Sequence, residues 1–485
     1  MILSRLTRLA LLAMAFAAAI VGALAVGFAA QAWWRLPDLE PWHTVRLAND
    51  FKAGGARNFA EYREREARLF AELRQRLYTA AVPGASDLDR YATGTLAARI
   101  ALETDGNRSR EDGPAQPRGA AVMLHGLTDA PYSLATVGRL LRERGFHVVF
   151  LRLPGHGTIP GALRDADWED WMAATALAIR RATDAAPGKP LYVAGYSTGA
   201  PLALLHTLRA MNDPSLAMPT RLLLFSPAIG VSPFAVVTNA TSLLSPIPGL
   251  EKAAWLGVMP EFDPYKYNSF PVHAATQVWS LTRALEAALA RAQAAGELER
   301  MPTVTAFQSL VDSTVMAADL VRRLFQRLPM QQHELVVFDV NRHALIAGLI
   351  APGPRRAFDE MTAAPALRYR LSVIGNRDPG SLEAVEWTRA PGAPEPVPRT
   401  LGLAWPGNVF SLGHLAVPTP IDDPMYGLQP AQRADGLSLP LGRGAPSGES
   451  GALVLPLGQL ARLRSNPFFP VIVERIDAAI AADLP

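Results

Sequence analysis

One short motif constrains the fold of this chain more than any other feature. The residues Gly195-Tyr196-Ser197-Thr198-Gly199 directly follow the apolar run Leu191 to Ala194 and precede a helical stretch that begins near Ala200. Glycines on both sides of the serine allow a tight turn without a Cβ clash, and a strand, turn and helix in this order expose the hydroxyl above the sheet. A serine hydroxyl is a weak nucleophile until a base removes its proton. We therefore expect Ser197 to be a nucleophile rather than part of an arbitrary turn.

Short apolar runs alternate with helical stretches on both sides of this motif. Continuous runs of Val, Leu and Ala are typical of strands that are covered on both faces, as in parallel sheets. The intervening helices make right-handed crossovers the default connection, which predicts an α/β fold. The predicted strands are Ala120 to Leu124, His147 to Leu151, Leu191 to Ala194, Leu222 to Phe225, Thr303 to Leu310 and Leu335 to Val340, and the predicted helices are about Ser133 to Arg144, Trp168 to Ala185, Ala200 to Met211 and Val315 to Leu328.

Two further motifs precede the serine motif in the chain. MLHGLTDAPYS begins at Met123 and FLRLPGHGT begins at Phe150, and GYSTG follows them at a workable spacing. With these three motifs, the segment from about Gly119 to Ile350 resembles the α/β-hydrolases of the monoacylglycerol lipase and carboxylesterase group. The resemblance implies a mostly parallel central sheet flanked by helices and a cap inserted at about residues 227–300. It also implies hydrolysis of a lipid ester or a small acyl ester through an acyl-enzyme.

The same resemblance implies which groups stabilise the reaction. In such hydrolases an oxyanion hole is formed by the backbone N–H after the His-Gly pair and the backbone N–H after the nucleophile, here those of Leu127 and Thr198. His125 is expected to stabilise this loop rather than to act as a base. His156, in Pro154-Gly155-His156-Gly157, is expected to belong to a loop beside the site. No metal ion or organic cofactor is expected for this chemistry.

The chain order of nucleophile, acid and histidine places the acid after a late strand of the sheet. Asp312 meets this requirement, because it opens the loop that follows the predicted strand Thr303 to Leu310. A carboxylate there can orient an imidazole and stabilise its charged form. An aspartate before a helix is also a common N-cap, which is the structural alternative for Asp312. Asp339 is a weaker candidate, since it lies within an apolar run.

Two histidines compete for the role of the base. His343 lies just past the predicted strand Leu335 to Val340 and about 30 residues after Asp312, as the family order requires. His414 has the more suitable local sequence, because Gly413 precedes it, whereas Arg342 is an awkward neighbour for His343. Position along the chain makes His343 the first prediction and His414 the alternative.

The remaining regions of the chain differ in character. Residues 37–118 form a predicted helical linker region, in which Asn58 to Ala80 has the apolar spacing of an amphipathic docking helix. Glu103 to Arg118 is polar and rich in turn residues, which predicts an exposed loop before a hydrolase domain at 119–367. Residues 368–485 depart from a minimal hydrolase, and their Pro- and Gly-rich stretches predict a C-terminal extension or an added lobe.

Residues 1–36 predict a membrane anchor. Leu9 to Ala30 contains no charged residue, and at about 1.5 Å per residue it is long enough to cross roughly 30 Å of hydrocarbon. Trp33 and Trp34 follow where an interfacial belt is expected, and the arginines before the span would keep the N-terminus cytoplasmic. The catalytic domain is then expected on the extracytoplasmic, periplasmic side. A signal peptide cleaved after Ala30-Gln31-Ala32, and hence secretion, is the alternative.

The composition excludes several other classes of function. The chain has no cysteine, which excludes thiol catalysis, thiolate zinc sites and iron–sulfur clusters. A net charge of +3 without blocks of basic residues argues against nucleic acid as a partner. An ester substrate and the membrane are the expected partners. Acyl transfer to an acceptor other than water, and a hydrolase fold that binds without turnover, are the alternatives to ester hydrolysis.

Overall fold

The computed structural model describes most of the chain. The described residues are 36–48, 55–79, 82–230, 247–312, 315–330, 332–343, 366–407, 409–433, 435–443 and 462–484, together with a few isolated positions. Nearly all of the predicted membrane span, Leu9 to Ala30, lies outside the described residues. Within the described part of the chain, we find no helix with both the length and the apolar character needed to cross a membrane.

A large central sheet dominates the described part of the chain. The strands are β1 (Arg110–Asp112), β2 (Gly119–Leu124), β3 (Phe146–Leu151), β4 (Leu191–Tyr196), β5 (Arg221–Phe225), β6 (Trp255–Gly257), β7 (Phe270–Pro271), β8 (Thr303–Ser309), β9 (Glu334–Phe338), β10 (Arg370–Asn376), β11 (Glu383–Arg389) and β12 (Val397–Ala404). Strands β6 and β7 pair only with each other, and the others form one sheet in the order β1-β3-β2-β4-β5-β8-β9-β10-β11-β12.

The strands from β3 to β10 in this order run parallel. At one edge β1 pairs antiparallel with β3, and at the other β11 pairs antiparallel with both β10 and β12. Every residue of β2 and β4 is buried, as expected for strands that are covered on both faces. The predicted α/β-hydrolase fold with a mostly parallel sheet is therefore confirmed. Because the carboxyl ends of parallel strands meet at one edge, the loops after β2, β4 and β8 lie at the same edge of the sheet.

Helices cover both faces of the sheet. They are α1 (Pro41–Thr44), α2 (Phe59–Leu77), α3 (Leu96–Glu103), α4 (Ala135–Glu143), α5 (Trp168–Ala185), α6 (Gly199–Ala210), α7 (Val272–Ala294), α8 (Ala317–Leu320) and α9 (Phe469–Asp483). Helices α5, α6 and α7 share one core with residues such as Val193, and α4 and α9 share the other core with residues such as Tyr192. Tyr192 and Val193, which are neighbours in β4, thus face opposite helical layers, because successive side chains of a strand point to opposite faces of the sheet.

The polar segment before β2 is the predicted exposed loop only in its second half, because Asp112 to Gln116 are exposed. In its first half, Arg110–Asp112 forms β1, in which Glu111 pairs with Val149 of β3. Asn107 is fully buried, and its side-chain amide donates hydrogen bonds to the carbonyl oxygens of Ala101 at 3.1 Å and Pro264 at 2.9 Å. Donors that are paired inside the fold allow a polar side chain to be buried, which polarity alone does not predict.

The predicted amphipathic helix forms as α2 and is docked on the fold. The Asn58 side chain caps its first turn by accepting a hydrogen bond from Glu61 N at 2.9 Å. Its buried face also carries Glu66, whose carboxylate accepts a hydrogen bond from Arg152 Nε at 3.0 Å. The Tyr62 hydroxyl donates to the carbonyl oxygen of Arg152 at 2.6 Å. Helix α2 therefore fixes the start of the loop that follows β3.

We predict that Arg152→Met lowers the free energy of unfolding by about 3–5 kcal/mol, because it leaves the Glu66 carboxylate buried without its cation. Denaturant-induced unfolding measures this effect. Arg57→Met is the matched control just before the same helix, since Arg57 forms an exposed ion pair with Glu61 of α2 and its loss should change the midpoint little. Equal effects of the two substitutions would show that the buried pair does not hold α2 in place.

The C-terminal region continues the central sheet rather than forming a separate lobe. Strands β10, β11 and β12 extend the sheet beyond β9, and α9 packs on the same face as α4. Near the end of the chain, Asp483 accepts hydrogen bonds from Arg221 NH2 at 3.0 Å and the Tyr192 hydroxyl at 2.6 Å. The end of the chain is thereby tied to central strands, and the loop between β12 and α9 returns across the sheet.

The predicted cap, residues 227–300, is described only in part, because residues 231–244 lie outside the described residues. Helix α7, which this prediction included, packs against α6 and α5 and belongs to the helical layer of the body. The segment between β6 and β7 lies closer to the site. There the backbone N–H of Tyr267 donates to the carbonyl oxygen of Thr128 at 2.8 Å, which ties this segment to the loop after β2.

Candidate active site

Ser197 lies in the sharp turn between β4 and α6. Its φ angle is +50°, in the left-handed region that a residue with a side chain rarely adopts. A Cβ on Gly195 would lie 2.6 Å from the backbone of Gly199, and a Cβ on Gly199 would lie 2.1 Å from the carbonyl oxygen of Leu124. Both positions therefore require glycine, and the predicted strand, turn and helix around Ser197 is present.

The two predicted oxyanion donors lie in loops that meet at the serine. A Cβ on Gly126 would lie 3.0 Å from Cβ of Ser197, so the loop after β2 reaches the serine directly. Leu127 is the next residue in that loop, and Thr198 directly follows Ser197. Neither the Leu127 N–H nor the Thr198 N–H donates a hydrogen bond to any acceptor among the described residues. Two unused donors beside a serine hydroxyl are what the stabilisation of an oxyanion requires.

His125 is a structural residue of this loop. Its Nε2 accepts a hydrogen bond from Leu153 N at 3.0 Å, and its Nδ1–H donates to the carbonyl oxygen of Gly126 at 2.8 Å. Burial lowers the pKa of His125 to about 3, so the ring stays neutral. The ring of His156, which is also fully buried, packs against it at a centroid distance of 4.9 Å. The two histidines thus hold the loops after β2 and β3 together.

Three donors among the described residues contact the Asp312 carboxylate. Oδ1 accepts a hydrogen bond from Val315 N at 3.0 Å, within the turn before α8, whose N-cap is Met316 and not Asp312. Oδ2 accepts hydrogen bonds from His414 Nδ1 at 2.6 Å and from Gln308 Nε2 at 3.1 Å. Asp312 therefore caps its own loop and orients an imidazole at the same time.

His414 is the histidine that the fold brings to the acid. The centroid of its ring lies 5.4 Å from the ring of Tyr196, the residue before the serine. The Ser226 hydroxyl donates to the carbonyl oxygen of His414 at 3.2 Å, and the Ser309 hydroxyl donates to the carbonyl oxygen of Leu412 at 2.9 Å. Ser226 follows β5 and Ser309 ends β8, so side chains at two strand ends hold the loop that carries His414.

His343, which position along the chain favoured as the base, has no described hydrogen bond to Asp312. Its backbone N–H donates to Oδ1 of Asn341 at 3.1 Å, while Asn341 N donates to the carbonyl oxygen of Phe410 at 2.8 Å. The structure therefore brings His414, and not His343, to Asp312. Position along the chain pointed to His343 because β9 was taken as the last strand, whereas β10, β11 and β12 follow it before the chain returns to Asp312.

Asp339, the weaker candidate for the acid, binds Arg342 and has no described contact with either candidate histidine side chain. Its carboxylate accepts hydrogen bonds from Arg342 Nε at 2.6 Å and from Arg342 NH2 at 2.9 Å. Arg342 is the neighbour that made the local sequence of His343 unsuitable. In the structure, this arginine forms an ion pair with Asp339 next to His343.

Two polar contributors to the site were not predicted from the sequence. Asp129 lies two residues after Leu127 and is buried, and Lys266 Nζ donates to its Oδ1 at 3.1 Å. Burial raises the pKa of Asp129, and the nearby Lys266 ammonium opposes this effect. The second is Gln308, which is fully buried near the end of β8. In the sequence, the signal that could have identified Asp129 and Gln308 is a charged or amide side chain within a mostly apolar segment.

Among the described residues, no cluster of three or more His, Asp or Glu side chains has an arrangement suited to a metal ion.

The chain has recognisable relatives. Residues 115–348 match the model of a family described as serine aminopeptidase, S33. One similar solved structure is described as LipS and LipT, two metagenome-derived lipolytic enzymes, with 20% identity, 48% of this chain and 88% of that chain covered, and a TM-score of 0.39. The monoacylglycerol lipase of Paleococcus ferrophilus has 17% identity, 48% and 88% coverage, and a TM-score of 0.36.

A soluble variant of monoglyceride lipase from Saccharomyces cerevisiae has 13% identity, 47% and 81% coverage, and a TM-score of 0.35. The comparison with curated proteins finds no match. The match to this family model, together with the strand order of the sheet, shows the α/β-hydrolase fold. Residues 115–348 are similar to the serine aminopeptidase S33 family, in agreement with the resemblance that the three motifs indicated.

Proposed function

We propose that this protein is a serine hydrolase that cleaves carboxylic esters with Ser197, His414 and Asp312. The observation that carries this proposal is the 2.6 Å hydrogen bond between His414 Nδ1 and Asp312 Oδ2, formed at the edge of the sheet where Ser197 lies. A carboxylate that holds one ring nitrogen leaves the other nitrogen available to act as a base. The left-handed turn at Ser197 and the unused N–H groups of Leu127 and Thr198 further support the proposal.

The proposed reaction has two steps. Ser197 Oγ attacks the ester carbonyl carbon while His414 Nε2 takes the hydroxyl proton, and the N–H groups of Leu127 and Thr198 stabilise the negative oxygen. The protonated His414 then gives its proton to the departing alcohol, which leaves an acyl-enzyme. Water attacks the acyl-enzyme with His414 as the base, and the carboxylic acid and Ser197 are released. Throughout the cycle, Asp312 Oδ2 accepts the hydrogen bond from His414 Nδ1 and keeps the ring oriented.

A fluorophosphonate probe and a panel of p-nitrophenyl esters of increasing acyl length test this proposal. We expect stoichiometric labelling at Ser197 and release of acid and alcohol from at least one ester of the panel. Product analysis with added alcohols identifies acyl transfer, which would show up as new esters instead of free acid. Absence of both labelling and turnover in the folded protein would instead favour a hydrolase fold that binds without catalysis.

We also propose that Leu9 to Ala30 anchors the protein in a membrane with the catalytic domain on the extracytoplasmic side. The support is the uncharged length of this segment and the interfacial tryptophans after it. Just beyond them, Leu36 and Leu39 pack against a cluster around Trp255, and Lys252 Nζ donates to the carbonyl oxygen of Leu36 at 3.1 Å. In this proposal, the residues that directly follow the membrane segment pack against β6.

We predict that the full chain stays in the membrane fraction after a carbonate wash and that its mature N-terminus lies near Met1. A shortened chain that begins at Trp33 is the matched control and should be released by the same wash, because it lacks the uncharged segment. N-terminal sequencing of the purified full-length product decides between anchor and signal peptide. A mature N-terminus at Trp33 would establish cleavage and contradict the anchor.

A further inference from the structure

Gln308 is a fully buried amide near the end of β8. The residue pairs in register with Val337 of β9, in the interior of the sheet. Burying an amide is unfavourable unless its donor and acceptor groups are paired. Oε1 of Gln308 is nevertheless buried without a hydrogen-bond partner among the described residues. A leucine or methionine would fill the same space without an unpaired polar atom, so packing alone does not account for a glutamine here.

The amide nitrogen of Gln308 faces only acceptors. Nε2 donates to Asp312 Oδ2 at 3.1 Å, to the carbonyl oxygen of Ser309 at 3.2 Å and to the carbonyl oxygen of Val315 at 3.1 Å. A flipped amide would place its oxygen against two carbonyls and a carboxylate, so the chemistry of the neighbours fixes its orientation. Since an amide has two N–H bonds for these three acceptors, one N–H is shared.

We infer that Gln308 is a positioning residue for the acid of the catalytic site, an inference that rests on the proposed function. The oxygen that receives its hydrogen bond, Asp312 Oδ2, is the same oxygen that accepts from His414 Nδ1. Val315 N holds Oδ1, so that donors on both oxygens fix the plane of the carboxylate. Without Gln308, the carboxylate would lose one of the contacts that aim Oδ2 at the imidazole, and a poorly aimed carboxylate orients the base less well.

The first test is Gln308→Met, which keeps the volume and removes the donor. We expect kcat to fall about 10- to 100-fold, the effect typical of a lost supporting hydrogen bond, with KM within about threefold of the unchanged protein. The limiting rate of fluorophosphonate labelling should fall by the same factor. Gln277→Met is the control in the same domain, because Gln277 accepts a hydrogen bond from Trp168 N at the N-terminus of α5, and its substitution should leave kcat unchanged.

If Gln308→Met does not fold, Gln308→Asn is the second variant. Its amide is one methylene too short to reach Asp312 and should cause the same loss of kcat. Rates are normalised to the number of sites that the probe labels, so a misfolded fraction does not imitate a catalytic effect. A normalised kcat unchanged from the parent would overturn the inference.

A double-mutant cycle separates positioning from a general structural role. If Gln308 acts through Asp312, then Gln308→Met should lower kcat less than about twofold in a protein that already carries Asp312→Asn. The full loss in that background would show that Gln308 acts elsewhere and would refute the inference. Failure of the parent protein to label or turn over would instead refute the proposed function, so the two failures are distinguishable.

Discussion

Replacing Ser197 by alanine should abolish labelling by a fluorophosphonate and lower ester turnover by at least about 10³-fold. Ser197 is the sole covalent group in the proposed reaction, so no other residue can form the acyl-enzyme. A positive φ angle raises the conformational free energy of alanine and serine by similar amounts, so the substitution should preserve the fold. Turnover of the best ester of the panel and the mass of the labelled protein measure the two effects, and a thermal unfolding midpoint confirms the fold.

Ser226→Ala is the matched control for this substitution. Ser226 is also a serine with a positive φ angle, +44°, at the end of a neighbouring strand. The variant should still be labelled at Ser197, because it removes only the hydrogen bond to the carbonyl oxygen of His414. Labelling of the Ser197→Ala protein at another serine would contradict the assignment of the nucleophile.

The second large effect concerns the base. His414→Ala should lower kcat/KM nearly as much as Ser197→Ala, whereas His343→Ala should change it by about tenfold or less. The reason is that only one imidazole can fill the position between the serine and the acid, and Asp312 already binds His414 at 2.6 Å. The two substitutions are each other's control, because they remove the same side chain from neighbouring loops. An inactive His343→Ala protein beside an active His414→Ala protein would reverse the assignment.

The parts of the structure that local chemistry determines could be predicted from the sequence. The turn at Ser197 was predictable because two glycines and a serine between an apolar run and a helix have few alternative conformations. The helix Trp168–Ala185 has the predicted bounds because its apolar spacing is regular. Asp312 was predictable because a parallel sheet delivers the ends of its strands to one edge.

The parts that depend on distant contacts could not be predicted. The choice between His343 and His414 depends on how many strands follow β9, and no local pattern near either histidine gives that number. The burial of Asn107 was missed because its amide nitrogen donates to the carbonyl oxygens of Ala101 and Pro264, and the contact with Pro264 comes from a distant part of the chain. The proposed role of Gln308 could not be predicted either, because it depends on the contact between Asp312 and His414, and His414 lies more than one hundred residues further along the chain.

The return of the chain from β12 to the strand ends also determines when the proposed triad can be completed. His414 follows its partner Asp312 by 102 residues, and Arg221 of β5 pairs with Asp483 of α9. A growing or translocating chain thus carries Ser197 and Asp312 long before it acquires His414. Under the proposed function, such a chain has no base for its serine, and turnover begins only after the segment that carries His414 has been delivered and folded.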